Sequence, residues 1–358
     1  MTGIMQMVLG AVAKLFSGFT TPALMNGSTT NARMYSVTVN SSGLFVAVGN
    51  AYNFTNADGS GSPLYATSSN GSTWTSPAAL ASYFSGTFMR SVTVNSSGLF
   101  VAVGSFRNTQ GYPLYTTSSN GSTWTTPANL GGATVNANIQ SVTVNSSGLF
   151  VAVGYNDSGQ PLYATSSNGS TWTVPALMNG STTYATMYSV TVNSSGLFVA
   201  VGVNSSTYPV YATSSNGSTW TTPATMNGST TYATMYSVTV NSSGLFVAVG
   251  YNASDKPLYA TSSNGSTWTT PAIMNGTTVS ADMRSVTVSS SGLFVAVGSY
   301  GGNAFYATSS EGSTWTTPAL MNGSTVNASM NGVTVNSSGL FVAVGSNSSN
   351  NSFYATST

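Results

Sequence analysis

Ser91-Val-Thr-Val-Asn-Ser-Ser-Gly-Leu-Phe-Val-Ala-Val-Gly104 decides the fold, because the chain repeats it almost verbatim from end to end. Its Gly-Leu-Phe-Val-Ala-Val-Gly core begins at Gly43, Gly98, Gly148, Gly196, Gly244, Gly292 and Gly339, at successive spacings of 55, 50, 48, 48, 48 and 47 residues. Seven copies at a period near 50, with strand-like content, are the mark of a radial β array.

Each unit reads as four short strands. In the second, Ser91-Val-Thr-Val94 alternates, Asn95-Ser-Ser-Gly98 turns, and Leu99-Phe-Val-Ala-Val103 is apolar on both faces. A variable loop leads to Pro113-Leu-Tyr-Thr-Thr117, and a second turn to Thr123-Trp-Thr-Thr-Pro127. A strand apolar on both faces has to be covered on both sides. The blades of a propeller supply that burial, each sandwiched between its neighbours. The small side chains of the first strand suit crowding near a central axis. Pro127 and its equivalents Pro77, Pro175, Pro223, Pro271 and Pro318 are expected to close an outer edge strand, where a missing donor does no harm. The last unit stops after its third strand, at Phe353-Tyr-Ala-Thr-Ser-Thr358. Its missing fourth strand is found at the other terminus, where Phe19-Thr-Thr-Pro-Ala-Leu24 matches Trp172-Thr-Val-Pro-Ala-Leu177. The expected fold is all-β: a seven-bladed propeller of four-stranded blades over residues 17–358, its last blade closed by an N-terminal strand.

Composition narrows the function classes. With 41% hydrophobic residues, 19 Tyr, 15 Phe and 6 Trp, the 3% charge content does not mean disorder. A net charge of +1 argues against nucleic acid, which needs clustered Lys and Arg. Zero Cys and zero His exclude disulfides, thiol nucleophiles and imidazole acid–base chemistry. No cofactor or metal is expected, and no apolar run is long enough to span a membrane.

The second turn carries a known motif. Thr117-Ser-Ser-Asn-Gly-Ser-Thr-Trp124 resembles the Asp box of sialidase-like β-propellers, Ser/Thr-x-Asp-x-Gly-x-Thr-Trp, and recurs with Trp74, Trp172, Trp220, Trp268 and Trp315. Ser69, Ser119, Ser167, Ser215, Ser263 and Ser310 stand where that family has Asp, and a serine hydroxyl there can still bond turn amides. In the family the box is a folding element on the face away from the ligand. The resemblance covers nearly the whole chain, and it implies a fold without an activity.

Turns one-to-two and three-to-four emerge on one face of a propeller, and the other two connections on the opposite face. The first pair is nearly constant among the seven units; the second varies in length and residue type. Of the 11 charged residues (six basic, five acidic), nine belong to the variable set: Arg33, Arg90, Arg107, Lys256, Arg284, Asp58, Asp157, Asp255 and Asp282. The variable face is therefore the expected working face. Its loops carry Tyr52, Phe54, Phe106, Tyr112, Tyr155, Tyr208, Tyr251 and Tyr300 among Asn, Ser, Gly and Thr. That mixture provides rigid contact area with adaptable hydrogen bonds, as antigen-binding loops do, and it suits a sugar. The candidate ligand-binding set is these eight aromatics with Arg90, Arg107, Asp157, Asp255 and Arg284.

Catalysis lacks its parts. Glycoside cleavage normally uses two carboxylates about 5–10 Å apart, whereas the single Glu311 is on the constant face and the four Asp are spread over different blades. A sialidase resemblance implies an arginine cluster with a Tyr/Glu pair, and Arg33, Arg90 and Arg284 do not match it residue by residue.

Residues 1–16 stand outside the repeat. Ile4–Val12 looks like a short signal-peptide core and Ala11-Val-Ala13 like a cleavage site, but no basic residue precedes Lys14. The segment reads better as a docking element, helical or extended. Met5, Val8, Val12 and Leu15 follow 3-4-3 spacing, which gives a helical seam that Gly3 and Gly10 weaken. Ile4, Met5, Val8, Val12, Leu15 and Phe16 are the expected attachment residues, with a homotrimer seated on another virion protein as the expected assembly. Met1-Thr-Gly-Ile-Met-Gln-Met7 resembles the short N-termini of bacteriophage tail-fibre and other minor structural proteins, and the Gly-Leu-Phe-Val-Ala-Val-Gly style of repeat is familiar there. The resemblance implies a non-enzymatic, virion-borne propeller that binds a host-surface receptor or glycan. Frequent Asn-x-Ser/Thr sequons leave a glycosylated cell-surface or S-layer-like protein as the alternative, with a sialidase-like glycoside hydrolase behind it.

Overall fold

The computed structural model describes residues 16–27, 31–51, 61–80, 86–106, 111–132, 136–180, 184–228, 232–276, 280–323 and 325–358. It contains seven four-stranded antiparallel sheets, each built from one repeat. The exception is the closing blade, blade 7. Its three C-terminal strands, Ser329–Val335, Phe341–Ser346 and Ser352–Thr356, take a fourth from Ala23–Leu24, which pairs Ala23 with Tyr354 and Leu24 with Phe353. The ring is closed across the termini as the sequence implies.

The second strand of every blade is buried on both faces, and its Phe residues are seven of the largest fully buried side chains: Phe45, Phe100, Phe150, Phe198, Phe246, Phe294 and Phe341. The core is not one mass but a set of seven inter-blade layers. Val46 and Val48 of blade 1, for example, pack with Phe100, Ala102 and Trp124 of blade 2. Each fully buried Phe contributes about 1.5–3 kcal/mol, and alternation along the strand divides that gain between two neighbours.

The Asp-box turn ties each blade to the one before it. Trp124 is buried, donates from Nε1 to Gly121 O at 3.1 Å, and packs on Tyr65 of the preceding blade at 6.2 Å between centroids. The turn amides are bonded differently from expectation. Ser118 Oγ accepts from Gly121 N at 2.9 Å, and Asn120 Oδ1 accepts from Ser122 N and Thr123 N at 2.9 and 2.8 Å. The neighbours of Ser119, and not Ser119 itself, do the work that the family gives to Asp. The outer strand also begins later than expected, at Ala128–Asn129 and its equivalents. Pro127 therefore precedes the strand, and the Trp segment before it runs between blades.

Phe16 departs from its expected role as an attachment residue. Its ring meets Phe19 at 5.4 Å, Tyr306 at 5.9 Å and Phe341 at 5.4 Å, all edge-on. Phe19 occupies the Trp position of the closing blade, and Phe16 packs beside it in the layer between blades 6 and 7. Two phenyl rings fill the space that one indole fills elsewhere. Ile4, Met5, Val8, Val12 and Leu15 lie outside the described residues.

Candidate functional site

The first strands form the inner ring, and each carries a β-bulge at the same place. The register jumps between Met34 and Ser36 in blade 1, and likewise at Met89/Ser91, Ile139/Ser141, Met187/Ser189, Met235/Ser237, Met283/Ser285 and Met330/Gly332. A bulge leaves one residue unpaired and re-aims its side chain. The last Gly of the repeated motif is what permits it. A Cβ on Gly104 would lie 1.7 Å from Phe88 O, because the bulge brings the two backbones together.

The skipped residues are Tyr35, Arg90, Gln140, Tyr188, Tyr236, Arg284 and Asn331, one per blade. Together with Tyr155, Tyr251 and Asp282 they line an open cavity of about 470 Å³. A narrower axial space of about 170 Å³ continues below it, lined by the same ring and by Ser36, Ser91, Ser141, Ser189, Ser237 and Ser285. Those serines join the blades: Ser36 Oγ accepts from Val92 N at 3.2 Å, and the pattern repeats to Ser285, which accepts from Val333 N at 3.1 Å. Gly332 breaks the series where the chain closes.

One wall of the cavity is aromatic. Tyr188 and Tyr236 lie 4.9 Å apart, and Tyr236 stacks on Tyr251 at 5.5 Å with their hydroxyls 3.2 Å apart. Burial pushes the Tyr236 phenol well above its ordinary value, helped by its hydrogen bond to Tyr251 and by repulsion from Tyr251 and Tyr188, with Arg284 pulling weakly the other way. Burial also raises Tyr188, again helped by the neighbouring tyrosines Tyr155 and Tyr251 and opposed by Arg90. Both phenols therefore stay neutral, able to donate and to accept.

The other wall is polar. Arg284 pairs with Asp282 at 2.6 Å and donates to Asn331 Oδ1 at 2.8 Å. Asp282 also accepts from the Ser299 amide and hydroxyl at 3.1 and 2.5 Å. It is the one carboxylate among the lining residues, and its oxygens are engaged. Arg90 lies over the Tyr35 ring at 4.9 Å, and its Nε is buried without a hydrogen-bond partner among the described residues. Two guanidiniums against one carboxylate leave the wall formally positive.

Of the candidates read from the sequence, Arg90, Tyr155, Tyr251 and Arg284 come together here. None of the four is a loop residue: Arg90 and Arg284 are bulge residues of inner strands, and Tyr155 and Tyr251 end second strands. Phe106, Tyr112, Asp157, Tyr208, Asp255 and Tyr300 are not part of this lining. Tyr208 meets Tyr232 at 5.7 Å, and Tyr300 meets Phe305 at 5.6 Å. Arg33 is turned to Asn350, to which its Nε donates at 2.5 Å. Tyr52, Phe54 and Arg107 lie outside the described residues. Sequence reasoning missed Tyr35, Gln140, Tyr188, Tyr236 and Asn331. The signal was present, as the variable column inside a Met-x-Ser-Val-Thr-Val run that departs elsewhere only at Ile139 and Gly332.

Fold and cavity define a seven-bladed β-propeller with a tyrosine- and arginine-lined axial site. No protein-family model matches the chain, and no curated protein matches it either. Solved structures do. The BP39L lectin from Burkholderia pseudomallei aligns with a TM-score of 0.66 at 12% identity, over 91% of this chain and 96% of the lectin. YCF48 bound to D1 peptide gives 0.64 at 14%, over 96% of both chains. NanB with Optactamide gives 0.53 at 13%, over 95% of this chain and 70% of that one, and the Hadza microbial sialidase Hz136 gives 0.53 at 14%, over 74% and 64%. The chain thus shares its fold with lectin and sialidase propellers.

Proposed function

We propose that the protein is a non-enzymatic binding propeller that takes a glycan at the mouth of its axial cavity. The observation that carries this reading is the bulge ring, seven strands each turning a side chain that varies from blade to blade onto a common open space. Stacked neutral tyrosines suit the apolar face of a sugar ring. Gln140, Asn331 and the guanidiniums of Arg90 and Arg284 suit its hydroxyls, amides or carboxylates. A binding role is favoured over hydrolysis because the oxygens of Asp282 are engaged by Arg284 and Ser299, and Asp255, which shares the neighbouring cleft with it, is not among the described residues that line the axial cavity. The fold shared with a lectin agrees with it. Display on a virion through the residues before Phe16 remains part of the proposal and rests on the sequence of that segment.

Glycan-array binding of the intact chain tests the reading, with Tyr188→Ala and Tyr236→Ala as site variants and the exposed Tyr184→Ala as control. The site variants should lose at least tenfold in affinity, about 1.4 kcal/mol, and the control should lose nothing. Equal binding by all four proteins would refute the axial site.

A further inference from the structure

Resting on the carbohydrate reading above, we propose that the ligand is a chain of at least two sugar units, whose second unit leaves the axial cavity through the cleft between blades 5 and 6. A separate cavity of about 210 Å³ opens in that cleft, lined by Tyr251, Asp255, Ser280, Asp282 and Ser299 among others. Tyr251 and Asp282 also line the axial cavity, so the two spaces share a wall. The Tyr251 ring is a step between them, backed from the axial side by Tyr236.

The internal repeat explains why this cleft is open. The same backbone frame recurs between neighbouring blades: Ala185 N donates to Gly159 O at 2.7 Å, Ala233 N to Thr207 O at 2.8 Å, and Ala281 N to Asp255 O at 2.6 Å. Gly159, Thr207 and Asp255 all hold positive φ, at 71°, 61° and 54°. The residue before the donor is Tyr184 in the first frame and Tyr232 in the second, and these rings cover the loop of the preceding blade. Tyr232 lies against Tyr208 at 5.7 Å, and Tyr184 lies within 3.6 Å of where a Cβ on Gly159 would sit. In the third frame the covering residue is Ser280, and the ring is gone. In place of the Gly159 hydrogen or the Thr207 side chain, the loop presents the exposed carboxylate of Asp255. The cleft therefore offers an aromatic wall, the Ser280 hydroxyl and a free-standing acceptor, while the Ser299 hydroxyl is already given to Asp282. A sugar unit rich in hydroxyl donors matches that set, and a planar apolar group does not.

An array of immobilised mono-, di- and trisaccharides of glucose, galactose, N-acetylglucosamine and glucuronic acid, each series sharing one terminal unit, tests this. The wild type should bind a disaccharide at least tenfold more tightly than its monosaccharide, with little added by a third unit. Ser280→Tyr supplies the ring that Tyr184 and Tyr232 give the two preceding clefts and should level mono- and disaccharide binding while keeping the monosaccharide affinity. Asp255→Asn, whose residue type accepts the same positive φ, should lower the disaccharide gain at least threefold and serves if the tyrosine variant fails to fold. The cleft proposal is overturned by a wild type indifferent to length. It is also overturned by an unchanged gain in either variant, or by a folded Ser280→Tyr that loses the monosaccharide too. Absence of wild-type binding to every glycan overturns the carbohydrate reading itself, and this proposal with it.

Discussion

The side-chain amide of Asn331 in blade 7 donates to the main-chain carbonyl of Met34 in blade 1 at 2.8 Å. This bond spans the junction at which the serine series stops, since Gly332 has no hydroxyl to offer. A serine does not fit there unaltered: a Cβ on Gly332 would stand 3.0 Å from Tyr35 O and 3.1 Å from Ser36 Cα. The bulge residue thus takes over the joining role from its neighbour, and through Arg284 it links the seam to the site. Asn331→Ala should cost about 0.5–1.5 kcal/mol, the net value of a typical hydrogen bond. Gln140→Ala, at the same ring position away from the seam, is the reference. Equal melting of the two variants would deny Asn331 its place in closure.

The two glycines of one motif copy should respond very differently to the same methyl group. Gly98 has φ +85° and nothing within 4 Å of an added Cβ, so Gly98→Ala meets only the backbone penalty of about 1–2 kcal/mol. Gly104 has ordinary φ but faces Phe88 O at 1.7 Å from the added atom, against backbone that cannot swing aside. Gly104→Ala should cost more than about 4 kcal/mol or abolish the soluble fold. Denaturant melts of the pair decide it, and a milder Gly104→Ala would mean that the bulge is dispensable.

The architecture was legible because a sevenfold repeat multiplies every weak signal. The doubly apolar Leu99–Val103 run demands cover on both sides, and the match of Phe19–Leu24 to Trp172–Leu177 shows how the ring closes. The site was legible only in part. A bulge is a register event with no composition of its own, so Tyr35 and Tyr188, which immediately precede the alternating Ser-Val-Thr-Val run, carry no mark of their own in the sequence. Arg90 and Arg284 were found by their charge, and Tyr155 and Tyr251 by their place beside variable loops. The covering role of Tyr184 and Tyr232, and its loss at Ser280, depends on contacts between successive repeats that no single repeat displays.

Closure gives a direct test at the N-terminus. A chain starting at Phe16 keeps the seam rings and the outer strand of blade 7, and should melt as a cooperative unit. Phe16→Ala in the full chain should cost about 1.5–3 kcal/mol or less, because the ring is only half-buried. A chain starting at Met25 lacks Phe19 and Ala23–Leu24, which exposes the edge of Ser352–Thr356 to pairing with other molecules. It should aggregate or lose cooperativity. If the chains starting at Phe16 and at Met25 melted alike, the N-terminal strand would have no part in holding the ring.

Alkaline pH probes the buried phenols. Tyr236 and Tyr188 hold their protons in the folded protein above the value of 10.0 that they have when exposed. Between that value and the raised one, the unfolded chain loses protons that the folded chain keeps. Stability is therefore fully present below about pH 10 and falls as pH rises beyond it, because the folded state binds more protons than the unfolded one. Tyr236→Phe removes the larger contribution without emptying the site. Its melting temperature should fall less steeply than that of the wild type between pH 10 and pH 11.5, and phenolate absorbance in the native protein should show one late-titrating tyrosine fewer. Parallel slopes for the two proteins would mean that Tyr236 is open to solvent and that the aromatic wall does not pack as described.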